Sequence, residues 1–233
     1  MDVHQQKQQV GIAASRLIKT NMIVGLGTGS TAACFVEALA ERVRHENLLI
    51  TCVATSVATA AFAQKLGLKV VELDTVSYID VTVDGADECD GNLNLIKGGG
   101  SAHLREKLVS EYSRYCVAIA DISKKVSCLG QFPLPVEVVR FGHVTTAARL
   151  RAVLQKLGYD DVPPTLRLNK EGGVVVTDGG NVIYDLPCGV IKDVNALAQA
   201  LKAVTGVVEH GLFIGLTDEA LFASPDGVQS IKL

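Results

Sequence analysis

Between Val83 and Lys107 the chain reads VDGADECDGNLNLIKGGGSAHLREK, gathering the side chains best able to move protons and stabilise charge. Asp84, Asp87 and Glu88 crowd the end of an apolar run, Tyr78 to Val83, that reads as a buried strand. Like charges this close raise one another's pKa unless a cation or hydrogen-bond donors compensate, and Lys97 is the nearest candidate cation. A solvated acidic turn is the plainer reading of the three acids, and no histidine or asparagine pattern specifies a carboxylate metal site. Gly98-Gly99-Gly100, just ahead of a helical run, offers backbone N–H groups to a phosphate or to an oxyanion that develops during reaction. Glu106 falls about one and a half turns into that helix. Its place within Arg105-Glu106-Lys107 reads as a solvated helix face.

A second anion-friendly turn lies upstream. The strand Met22 to Leu26 runs into Gly27-Thr28-Gly29-Ser30-Thr31 and then a helix with Phe35, Val36, Leu39, Ala40 and Val43 on its apolar stripe. Glycines allow close backbone approach, and the free N–H groups of a helix N-terminus favour phosphate. The same residues also fit an ordinary glycine turn with a Ser/Thr cap. Lys7, one turn before Val10 on the opening helix, either snorkels to solvent or reaches an anion near the first strand. A dinucleotide site fits poorly, because Ser30 stands where the fingerprint's third glycine belongs and the next strand ends in Thr55-Ser56 without the ribose-binding acid.

The elements that must position these groups alternate strand and helix: a helix Gln5 to Lys19, strands Met22 to Leu26 and Leu48 to Ala54, a helix through Ala58 to Leu66, strands Lys69 to Leu73 and Tyr78 to Val83, a helix Ala102 to Tyr112, and a strand Tyr115 to Ala120. That rhythm predicts an α/β fold with an open, mostly parallel sheet covered by helices on both faces. Ligands in such sheets bind at the strands' C-terminal edge.

Around Gln131-Phe132-Pro133-Leu134-Pro135 the rhythm changes. Strand Val136 to Val139, helix Thr145 to Leu157, strand Thr165 to Leu168, a hairpin of Val174 to Thr177 with Val182 to Leu186, helix Val194 to Val204 and strand Val207 to His210 give the order β-α-β-β-α-β of a small ferredoxin-like α+β domain. We therefore expect residues 1–130 to form the catalytic α/β domain, rejoined by the strand-like tail 211–233, and residues 131–210 the smaller one.

Composition bounds the function classes. The 233 residues are 48% hydrophobic, with a formal charge of -3, a pI near 6.0 and no basic run, which argues against nucleic acid as a partner. A polar N-terminus and the lack of an apolar run near the ~20 residues of a bilayer span argue against a signal peptide and a membrane segment. Six scattered cysteines without a C-x-x-C pair or a zinc-ligand histidine read as reduced thiols, hence a cytoplasmic protein.

Together these motifs resemble ribose-5-phosphate isomerase of the A type. The likeness is carried by the opening helix with Lys7, Gly27-Thr28-Gly29-Ser30-Thr31, Asp84-Gly85-Ala86-Asp87-Glu88, Lys97-Gly98-Gly99-Gly100, Arg105-Glu106-Lys107 and Phe132-Pro133-Leu134-Pro135-Val136-Glu137-Val138. The resemblance implies a Rossmann-like main sheet and interconversion of D-ribose 5-phosphate and D-ribulose 5-phosphate through an enediolate, as in the non-oxidative pentose phosphate pathway, with no metal and no organic cofactor. It makes Glu106 the base that moves a proton between C2 and C1, and it overturns the solvated reading of that residue. Asp84, Asp87 and Lys97 match positions that open the sugar ring, move hydroxyl protons and stabilise charge on oxygen. Thr28, Gly29, Ser30, Thr31, Gly85, Ala86, Gly98, Gly99 and Gly100 match substrate-binding segments, with Lys7 and Lys124 as further contacts. A homodimer or homotetramer is also implied. Ser101 and His103 depart from the family pattern, and His103 is expected to be a variable helix residue. A catalytically inactive sugar-phosphate-binding protein of the same fold is the alternative.

Overall fold

The computed structural model describes residues 2–232. In chain order its helices are α1 Val3–Ser15, α2 Ser30–Glu46, α3 Val57–Lys65, α4 His103–Glu111, α5 His143–Lys156 and α6 Val194–Lys202. The strands are β1 Ile23–Leu26, β2 Thr51–Ala54, β3 Val81–Gly85, β4 Glu88–Cys89, β5 Leu95–Ile96, β6 Cys116–Asp121, β7 Leu134–Val138, β8 Thr165–Leu166, β9 Val182–Leu186, β10 Val207–His210, β11 Leu212–Phe213, β12 Glu219–Ser224 and β13 Gly227–Lys232.

The main sheet has the order β13-β12-β6-β3-β1-β2, parallel except for the edge strand β13. Strand alternation decides what each face buries. Val24, Leu26, Val81, Val83, Val117 and Ile119 pack with Val10, Phe35 and Leu39 of α1 and α2. On the other face, Ala118, Ala120 and Phe222 meet Leu95 and Phe213 of a small three-stranded sheet, β11-β5-β4. The remainder of that face is covered by Val109 of α4, which packs with Val53 and Ile79. Because Val81 and Val83 face α1 and α2, Asp84 is forced onto the side of α4.

Residues from β7 to β10 form a four-stranded antiparallel sheet, β10-β7-β9-β8, which with α5 and α6 is the ferredoxin-like arrangement. Its core joins Leu134, Val136, Val138, Leu150, Leu154, Leu197 and Leu201. The tail divides between two sheets: β11 joins the small three-stranded one, and β12 pairs in parallel with β6 in the main one.

Three local expectations need correction. Lys69 to Leu73 forms no strand; a single parallel bridge, Cys52 to Val70, extends the β2 edge before the chain turns into a short 3-10 helix, Leu73–Thr75, with Asp74 exposed. Val174 to Thr177 is tied only by isolated bridges, Leu168 to Val174 and Val176 to Val182, so the hairpin is irregular on its first arm. Its reversal is nonetheless closed by the Thr177 N–H to the Asn181 carbonyl at 2.9 Å. Finally, Asp84 and Gly85 belong to β3 itself, because the ladder with Ala118 and Ile119 of β6 continues through them. All six cysteines are unpaired, five of them buried, and among the described residues no helix is long and apolar enough to cross a membrane.

Candidate active site

At the C-terminal end of β3 the Asp84 carboxylate is held by backbone: its Oδ1 accepts the N–H groups of Thr28 (3.1 Å) and Gly85 (2.7 Å). Only glycine allows that approach at position 27, since a Cβ there would lie 2.1 Å from Asp84 Oδ1. Lys97 follows β5, its N–H bound to the Gly211 carbonyl at 2.9 Å. Its ammonium donates to the Gly85 carbonyl and stands 3.1 Å from Asp84 Oδ2 and 3.3 Å from Glu106 Oε2. The Phe213 ring, 5.4 Å away, backs the same cation. Glu106 lies in the first turn of α4, since the helix starts at His103, one residue later than the sequence pattern places it. The three groups are 5%, 3% and 3% exposed.

Two carboxylates thus share one buried ammonium. Its aligned hydrogen bond goes to Gly85, so Asp84 Oδ2 and Glu106 Oε2 are close to the cation without a hydrogen bond among the described residues. Burial, then the charge of Asp84, pushes Glu106 up to about 8, with Lys97 opposing. Burial likewise raises Asp84 against the pull of Lys97 and the two N–H groups. For Lys97, burial favours the neutral amine, but Asp84 and Glu106 prevail and hold it above the usual lysine range. A carboxylate near neutrality beside a fixed cation is a proton acceptor poised against a charge stabiliser.

The glycine turns form the walls. Asp87 accepts the Gly99 N–H at 2.7 Å, and a Cβ on Gly99 would strike the same carboxylate. Cβ positions built on Gly100 and Gly85 meet only ordinary contacts, Thr28 Cγ2 at 3.5 Å for the first and the Thr28 carbonyl and Thr31 Cβ at 3.9 Å for the second. Gly98 to Gly100, Gly85 and the Thr28 to Thr31 turn therefore face one another. Gly29 (φ 112°) starts α2, Ser30 and Thr31 form its first turn, and Lys7 Nζ donates to Ser30 Oγ at 2.9 Å. The Thr28 hydroxyl is engaged away from the carboxylates with Thr55 (2.7 Å), Ser56 (2.9 Å) and Thr59 (3.1 Å). Ala86 packs at the fringe of the Phe213 cluster. Lys124 ends a 3-10 turn after β6, on the same sheet edge, and its side chain makes no hydrogen bond or ion pair among the described residues.

Several sequence readings change. Glu88 is no part of the acid cluster around Lys97; its oxygens accept the N–H groups of Gly130 and Phe132, both at 2.6 Å, and hold the crossing between the sheets. His103 is fully buried against Gly98, where its Nε2 lies 4.0 Å from Glu137, and burial followed by Lys107 pushes its pKa down to about 3. Arg105, Glu106 and Lys107 grip three different partners: Asp178 at 3.5 Å, Lys97, and Glu209 at 2.8 Å with the His210 carbonyl. Asp178, which also accepts the Val57 N–H at 2.8 Å, and Arg167, which donates to the Gly98 carbonyl, were not visible in sequence spacing. Their partners lie 121 and 69 residues away. Among the described residues no three His, Cys, Asp or Glu side chains are grouped as metal ligands.

Comparison with known proteins agrees with this geometry. The family model for ribose 5-phosphate isomerase A (phosphoriboisomerase A) matches residues 51–227. A ribose-5-phosphate isomerase A of Caulobacter sp. (strain K31) is 58% identical over 98% of both chains. Among solved structures, ribose 5-phosphate isomerase from Plasmodium falciparum superposes with a TM-score of 0.93 at 34% identity, covering 99% of both chains. A D-ribose-5-phosphate isomerase in complex with phospho-erythronic acid does so with a TM-score of 0.92 at 33% identity over the whole of both. By sequence along nearly its full length, and by fold, the chain belongs to the ribose 5-phosphate isomerase A family.

Proposed function

We propose that the chain interconverts D-ribose 5-phosphate and D-ribulose 5-phosphate through an enediolate, and that Glu106, Asp84, Asp87 and Lys97 carry the chemistry. The observation that supports this most directly is the Lys97 ammonium between the buried carboxylates of Asp84 and Glu106. In the open-chain aldose Glu106 removes the proton on C2, and the electron pair moves to make the C1–C2 double bond and place charge on O1. Lys97 stabilises that charge, which a preorganised cation in a dry site does more effectively than water. Asp84 and Asp87 exchange the hydroxyl protons, delivering one to O1 and removing one from O2, and serve ring opening in the same way. Glu106 then returns its proton to C1 as the C2 carbonyl forms. Thr28 to Thr31, Gly85, Ala86 and Gly98 to Gly100 line the substrate, and Lys7 and Lys124 complement its phosphate.

In the same reading, residues 1–130 with 211–233 are the catalytic unit and 131–210 the smaller one, supported by a main core drawn wholly from the first range, while Ile96, Leu129 and Leu212 of that range also close the core of the second. Assembly into a homodimer or homotetramer is supported by the exposed apolar side chains of Phe141 and Val144, 94% and 66% accessible at the start of α5. Six unpaired thiols suit the reducing cytoplasm.

The test is conversion of ribose 5-phosphate in D₂O with a chelator present. Ketose carrying deuterium at C1 is expected. Ligand binding without ketose would favour the inactive alternative, dependence on a metal would remove the cofactor-free route, and a ketose free of deuterium would mean that the same hydrogen travels from C2 to C1, either as a proton held on Glu106 without exchange or as a hydride.

A further inference from the structure

Gly98 to Ser101 is a four-residue turn closed by the Ser101 N–H on the Gly98 carbonyl at 3.0 Å. Both ends have left-handed backbone, φ 109° at Gly98 and 62° at Ser101. For serine that conformation is disfavoured and persists where surrounding contacts fix it. The contacts come from the second sheet. Arg167, just past β8, anchors its N–H on the Ile183 carbonyl at 2.9 Å, and its guanidinium is gripped on one edge by Asp185, through Nε at 2.9 Å and through Nη2. Nη1 is left to project toward the turn, and it donates to the Gly98 carbonyl at 2.6 Å and to Ser101 Oγ at 3.0 Å. One planar group thus holds both ends of the turn while a carboxylate fixes its orientation, a geometry that a lysine cannot reproduce.

The apex of that turn belongs to the site. Gly99 donates to Asp87, and Gly100 faces Thr28 across the cleft. We propose that Arg167 is a positioning residue for the isomerisation: from the small sheet it fixes the Gly98–Ser101 turn, and through the Gly99 N–H it fixes the carboxylate of Asp87. The proposal rests on the isomerase reading above for its kinetic consequence and on the turn geometry alone for its structural one.

Wild type, Arg167→Met, Arg167→Lys and Ser101→Ala are compared in kcat and KM for ribose 5-phosphate and in amide hydrogen exchange of Gly99, Gly100 and Ser101 without substrate. Charge-assisted hydrogen bonds of this kind set the expected loss in kcat/KM for Arg167→Met at about 10- to 100-fold. Part of it should appear in kcat, with faster exchange confined to the turn. Arg167→Lys should recover less than a tenth of the difference, roughly, because the charge remains and the fork does not. Ser101→Ala, which keeps the Gly98 arm, should lose less than Arg167→Met. If Arg167→Met does not fold, Arg167→Lys and Ser101→Ala carry the test. Unchanged kcat and KM in Arg167→Lys, or unchanged exchange in the turn, would overturn the proposal. Absence of turnover in the wild type would sink the isomerase reading instead, and the exchange measurement would still decide the clamp.

Discussion

Replacing Glu106 by glutamine should move activity and stability in opposite directions. The carboxyl rises from its ordinary 4.5 to about 8 in the folded protein, where it is 3% exposed. Between those values the native state keeps a proton that the unfolded chain releases, so this group's contribution to stability is full below about 4.5 and is lost as pH rises through about 8. The rise corresponds to about 5 kcal/mol at most. Glutamine fills the same space and does not titrate, so Glu106→Gln should gain on wild type steadily between about pH 5 and about pH 8 and hold the gain above that. Turnover should fall by roughly 10²- to 10⁴-fold, the usual contribution of a positioned base. Urea unfolding at about pH 5 and about pH 9, beside the isomerase assay, reads both quantities. A stability difference that does not change with pH, or near-normal turnover, would refute the assignment. The pH profile of wild-type kcat/KM should rise with a midpoint near 8 to a plateau above it, and that midpoint belongs to the Asp84–Glu106 pair as a whole.

Lys97→Met would strand two buried carboxylates 3.1 and 3.3 Å from the missing charge, so turnover should vanish and stability should fall by about 3–5 kcal/mol, more at high pH than at low; a pH-independent loss in thermal melts would contradict this. Gly27→Ala would drive a Cβ to within 2.5 Å of the Asp84 backbone, and a loss of at least about 1–3 kcal/mol together with most activity is expected. Lys7→Met, which removes only the Ser30 contact and a charge at the rim, should raise KM for the sugar phosphate about 10- to 100-fold with little change in kcat. A kcat defect with normal KM would place Lys7 elsewhere in the cycle.

Period and punctuation made most of the architecture legible. The strand and helix alternation up to Asp121 and the β-α-β-β-α-β order after Leu134 follow from apolar spacing and glycine turns, which act locally. Lys69 to Leu73 failed because an apolar run at a sheet edge can be held by one bridge and released. The chemistry was less visible. Asp84 and Lys97 could be paired from proximity, but nothing in Arg105-Glu106-Lys107 says which side chain turns inward; the family likeness supplied that, and burial of Glu106 against Lys97 is consistent with it. His103 lies in α4 as expected, but its burial was not legible, because it is set partly by Glu137 of the second sheet. Arg167 and Asp178 act across sheets, a relation that no local pattern encodes.

The three consecutive grips of α4 have a mechanical consequence. Successive helical side chains point about 100° apart, so the contact of Glu106 with Lys97 in the main unit and those of Arg105 and Lys107 with Asp178 and Glu209 in the smaller one oppose rotation of the helix about its own axis. The carboxylate of Glu106 is therefore mounted on a torsionally stiff rod, and its travel is limited to rotation about its own side-chain bonds. On the proposed role of Glu106, that short stroke suits a proton moved between adjacent carbons, and substrates that need the proton carried further along the chain would fall outside its reach.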